Sequence, residues 1–90
     1  MKLKETIEAR RAMLTVIEEV MNDLERNYKW VRDNLASTKE ELKEFQANYE
    51  GDRDAYEYTS AVRYKTEDIA RYEAQIGAYE TVIKTLEKLI

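Results

Sequence analysis

The sequence predicts an all-α chain: a long antiparallel helical hairpin of coiled-coil type that dimerises into a four-helix bundle. Three observations predict it. Proline is absent and Gly51 and Gly77 are the only glycines, so little in the chain resists helix. Apolar residues step by alternating threes and fours from Leu3 to Tyr49 and again from Ala55 to Ile90, which is the spacing of a coiled-coil seam. Between the two arrays lies YEGDRDAYE, where a glycine and two aspartates fall together.

Helix one is expected over about residues 3–50. Its a positions hold Ile7, Leu14, Met21, Tyr28, Leu35, Leu42 and Tyr49. Its d positions hold Leu3, Ile17, Leu24, Val31 and Phe45, with Arg10 and Thr38 as the polar exceptions. The turn is expected at about 51–53, with Gly51 as the left-handed residue that commonly follows a helix C-terminus. Asp54 followed by Glu57 resembles a capping box and opens helix two, expected over about 54–90. The second array places Ala55, Val62, Ile69, Ile76, Ile83 and Ile90 at a. Tyr58, Tyr72, Tyr79 and Leu86 stand at d, with Lys65 as the exception. Residues 1–90 thus read as one helical hairpin domain. Ser37 with Glu40, and Thr66-Glu67-Asp68, resemble internal helix starts. The heptads keep their phase across both, so Thr38 and Lys65 are expected to form a polar layer that fixes register.

Counting outward from Gly51 pairs Phe45 with Tyr58, Leu35 with Ile69 and Leu24 with Tyr79. Helix one then outruns helix two by about ten residues, roughly 15 Å at about 1.5 Å per residue. Leu3 and Ile7 are left without a partner in their own chain. Met13, Val16 and Val20 widen the apolar stripe of helix one, as Ala61, Val82 and Leu89 widen that of helix two. A further lane of small residues, Ala70, Ala74, Gly77 and Ala78, lies off the seam, where another helix could approach closely. Its glycine costs about 1 kcal/mol relative to alanine inside a helix. Leu3, Ile7 and this lane are the candidate dimerisation residues, and the expected partner is a second copy of the chain.

The same composition argues against catalysis. Without histidine or cysteine, the chain lacks the commonest general base, nucleophile and transition-metal ligands. The serines and threonines have no recognisable activating partner, and there is no glycine-rich phosphate loop. Asp52, Asp54 and Glu57 lack the central glycine and the ligand number of a calcium loop. No enzyme activity, metal or cofactor is expected. No apolar run approaches the roughly 20 residues of a membrane span, and the first residues do not read as a secretory signal. The expectation is a soluble cytoplasmic protein without membrane contact.

The net charge of −4 is unevenly spread. Lys2, Lys4, Arg10 and Arg11 outnumber Glu5 and Glu8 near the start. Around the turn, Glu40, Glu41, Glu44, Glu50, Asp52, Asp54 and Glu57 meet only Lys43 and Arg53. No continuous basic stripe exists, so direct nucleic-acid binding is not expected. An unidentified protein with a basic surface fits better. Its candidate contacts are Glu50, Asp52, Tyr56 and Glu57 at the tip, together with Trp30, a tryptophan off the seam that is either such a contact or a residue buried where the second subunit docks.

The function expected from the sequence is that of a non-catalytic interaction module, which occludes or tethers a partner macromolecule. By analogy with small acidic helical proteins of phage and mobile elements, inhibition of a host enzyme is one form of that role. A structural coiled-coil spacer or assembly factor is the first alternative, and an acidic nucleic-acid mimic the second. Helical-hairpin secretion substrates share the chain length, but their turn carries a Trp-x-Gly signature. Here Trp30 is mid-helix and the turn reads Gly51-Asp52-Arg53.

Overall fold

The computed structural model describes residues 2–90. Helix α1 spans Lys2–Asn48 and helix α2 spans Tyr56–Glu87, folded back antiparallel. The molecule measures 77 × 15 × 15 Å. Its length is set by α1, since 47 helical residues span about 70 Å.

Both helices run unbroken through the internal start signals. Thr66 does not open a new helix; its hydroxyl donates to the Val62 carbonyl one turn back at 2.7 Å. The register is the one expected from the heptads. Phe45 stacks on Tyr58 at 5.7 Å between centroids, and Leu24 shares a groove with Tyr79. Three polar contacts fasten the helices across the seam: Tyr28 donates to Glu80 at 2.8 Å, Lys39 pairs with Glu73 at 3.5 Å, and Lys65 with Glu41 at 3.1 Å. Lys65 occupies a d position yet carries its ammonium to the rim. Its contribution lies in fixing register, because solvated pairs of this kind add little stability.

The turn differs from the sequence expectation in three ways. First, the helices end earlier and start later, leaving residues 49–55 outside them. Second, Gly51 is not left-handed; neither glycine has positive φ. Its missing Cβ gives the Tyr49 ring room instead: a Cβ there would lie 2.8 Å from the Tyr49 hydroxyl and 2.9 Å from its Cζ, so the ring would have to shift. Third, Asp54 is not the N-cap. Ala55 holds that position, extended at φ −66 and ψ 147, and no side chain caps it. The cause is Asp52, whose carboxylate accepts the Asp54 backbone N–H at 2.9 Å while its carbonyl accepts that of Ala55 at 3.1 Å. That compact turn uses up the Asp54 amide and moves the helix start along by one residue.

Two cylinders touch along one line, and the burial pattern shows it. Among the described residues only Val31 is buried, at 3% exposure, while the seam from Ile17 to Leu86 is half-buried. Leu3 and Ile7 are 72% and 45% exposed. Leu89 reaches α1 beside Arg10, Met13 and Leu14, and no described residue of α2 extends past it to cover the start of α1.

The Tyr28–Glu80 contact has a pH signature. Its hydrogen bond to the Glu80 carboxylate, then partial desolvation and the Glu80 charge, hold the Tyr28 hydroxyl above the ordinary tyrosine pKa. A folded-state pKa raised above the unfolded value gives stability that is whole below about pH 10 and lost as pH rises through the raised pKa. Ultraviolet titration should show one tyrosine ionising late. Tyr28→Phe should remove that phase, and the stability difference between the two proteins should fade at strongly alkaline pH.

Candidate functional site

The tip is built on aromatic rings. Phe45, Tyr49 and Tyr58 form a triangle with centroid distances of 5.5, 5.7 and 4.7 Å. Arg53 closes over it, its guanidinium 5.5 Å from the Tyr58 ring. One arm of the same guanidinium donates to the Gln46 carbonyl at 3.0 Å. The last turn of α1 has no basic residue of its own, so the loop supplies the cation that complements its negative end. Nothing in the heptad pattern singled out Arg53; a lone basic residue among acids in a turn was the available signal.

The structure separates the acidic candidates. Asp52 is engaged in the turn itself. Glu50 joins Glu41, Glu44 and Asn48 around the Phe45 and Tyr49 rings, lining a concavity of about 440 Å³. Carboxylates rimming aromatic faces suit a lysine or arginine side chain. Glu44, in the last turns of α1, thus belongs with Glu50, which follows the helix in the loop; a reading confined to the turn missed it. Tyr56 is 74% exposed and Glu57 sits in the first turn of α2. Neither lines that concavity.

Away from the tip, the two long sides of the hairpin differ in chemistry. On one, Arg32 and Lys39 of α1 share a groove with Glu80 of α2, and Lys39 pairs with Glu73. On the other, the open end is apolar. Met13 meets Leu89 there, and Val82 and Ala78 flank Leu24 in a groove of about 300 Å³. Val16, Val20 and Trp30 follow Met13 on this flank at helical spacing and remain 57%, 42% and 61% exposed. Trp30 is therefore not covered by its own hairpin; its backbone carbonyl accepts from the Asn34 side chain at 2.7 Å.

The small-residue lane divides. Ala78 lines the apolar groove, whereas Ala70, Ala74 and Gly77 lie on the outer back of α2, all exposed. A Cβ at Gly77 would meet nothing within 4 Å, and the Gly77 carbonyl accepts the Thr81 hydroxyl at 3.0 Å. At the opposite end, Leu3 and Ile7 line an apolar hollow edged by Lys4, Glu8 and Arg11. Among the described residues no cluster of three or more carboxylates converges to hold a metal ion, and no helix is long and apolar enough to cross a membrane. No known protein family, curated protein or solved structure matches the chain. The surfaces carry the functional reading by themselves.

The two glycines should respond to alanine in opposite directions. Gly51→Ala pushes the Tyr49 ring out of the aromatic triangle and should destabilise by about 1 kcal/mol, the low end of overpacking costs. Gly77→Ala adds a methyl group in open space and should stabilise by about 1 kcal/mol. Urea midpoints measure both. A loss at Gly77 would mean that another helix packs against the back of α2.

Proposed function

We propose that the chain is a non-catalytic protein-interaction module, a small acidic helical homodimer that binds a partner macromolecule and occludes or tethers it. The observation that supports this is an excess of surface. A compact monomer of 10.7 kDa exposes about 5500 Å² on the usual scaling of area with mass; this chain exposes 7299 Å². Part of that difference is surface that a second chain can cover, and specific interfaces of standard size bury about 1600 Å² in all. The exposed apolar residues are concentrated at the open end, around Leu3, Met13, Val16, Leu89 and Ile90.

A dimer closed at that end leaves the tips free. The carboxylates around Phe45 and Tyr49, with exposed Tyr56 and Glu57 nearby, give each tip the charge and aromatic surface to engage a basic partner. Occlusion of a host enzyme by a phage or mobile-element protein is one form this role takes. A structural spacer is the second reading, favoured by the 77 × 15 × 15 Å rod.

The two readings part on charge reversal at the tip. Glu44→Lys, Glu50→Lys and Glu57→Lys together spare Asp52, which builds the turn, and Glu41, which pairs with Lys65. Wild-type protein should capture its partner from the native host in a salt-sensitive manner. The triple variant should lose it while keeping its helicity and its dimeric mass. Capture that survives the reversal removes the tip from the reading.

A further inference from the structure

We propose that two hairpins pack antiparallel through the apolar flank at the open end, with the two-fold axis crossing α1 between Val16 and Ile17. This rests on the homodimer reading and adds the face, the direction and the register of the contact.

The face follows from the difference between the two long sides. One is lined with Arg32, Lys39, Glu73 and Glu80, already engaged with each other or with Tyr28. The other offers Met13, Val16 and Val20 of α1 beside Val82 of α2 and Leu89, which follows that helix. Towards the tip that same flank becomes acidic, at Glu41, Glu44 and Glu50. A full-length overlay in opposite directions would set the apolar half against carboxylates, so the overlap is confined to the open halves.

The direction follows from the overhang. Stacking two hairpins flank to flank with both tips at one end lays α1 over the α2 of the second copy. Since α2 ends short of the start of α1, Leu3 and Ile7 would stay wet. Stacking them in opposite directions lays α1 over α1. With the axis between Val16 and Ile17, Met13 meets Val20 of the second copy and Leu3 meets its Trp30. Two exposed apolar features that the single hairpin leaves unexplained then cover each other.

Charge selects the same arrangement. Residues 2–15 carry four basic and two acidic side chains, and residues 18–31 carry four acidic and two basic. The antiparallel register places these segments opposite one another, whereas tips at one end bring the basic starts of both chains together. Arg10 is the clearest case. It occupies a seam position, has no ion pair among the described residues, and falls opposite Asp23 of the second copy. Asp23 in its own chain has only the exposed Arg26, at 3.6 Å.

The test uses mass, length and crosslinking on the full chain. Light scattering should give twice 10.7 kDa. Small-angle scattering should give a maximum dimension of about 110 Å, because two 77 Å rods share about 30 residues of helix at about 1.5 Å each; tips at one end give about 80 Å. The chain has no cysteine, so Leu3→Cys and Trp30→Cys report cleanly. Mixed and oxidised, the two variants should form a covalent dimer. Val16→Glu with Val20→Glu should return the mass to that of one chain with helicity kept, and Gly77→Leu should leave it dimeric. A dimer that is short, or that lacks the mixed disulfide, overturns this packing and leaves the homodimer reading standing. A helical monomer overturns both.

Discussion

Two helices meet along a line, and a line cannot enclose a side chain on every side. That constraint governs the molecule. The heptads supply a continuous apolar seam, yet Val31 alone passes out of reach of water. Every other seam residue keeps a wet flank, so the hydrophobic contribution of each is a fraction of the roughly 2 kcal/mol that full burial of a large apolar side chain gives. A chain of this size has few other sources of stability: there are no disulfides and no clustered metal ligands among the described residues.

The tip carries the clustered aromatic rings of the hairpin. Three rings stack over a glycine that leaves them room, and Arg53 ties the loop to both the rings and the end of α1. From there towards the open end the cross-helix contacts thin out. Lys65–Glu41, Lys39–Glu73 and Tyr28–Glu80 fall in succession along the rod, and beyond Leu89 nothing of α2 remains beside α1. The molecule is tight at one end and open at the other, and its exposed apolar residues follow that gradient.

Most of the fold was legible because periodicity is a long-range average. Dozens of residues in one phase decide between a hinge and a straight helix, and they outweigh a local signal such as Thr66-Glu67-Asp68. The pairing of Phe45 with Tyr58 followed from counting alone. The turn was less legible because there a few atoms compete for a few hydrogen bonds. Asp54 fits a cap by residue type, but the Asp52 carboxylate accepts the Asp54 amide within the turn, and the helix starts after Ala55 with no side-chain cap. Gly51 was expected for its backbone freedom, and what the structure uses is its missing Cβ, which leaves room for the Tyr49 ring. A sequence marks that a glycine is needed more readily than it marks why. Of the candidate contacts, Glu50 and Trp30 sit on exposed surface, while Asp52 has a structural task that residue type could not reveal.

The graded contact along the rod also sets the order in which it can form. Closing a short loop costs less chain entropy than closing a long one, and the contacts that require the shortest loop are those of the aromatic triangle. Each pair further from the turn encloses more chain, yet once the tip has closed the next pair is already held close by. Chain entropy therefore favours closure from Tyr49 and Tyr58 towards the ends by local steps, the kind of topology that folds fast. The open end is the last to close and the first to fray, and it is there that a second chain would have the most to stabilise.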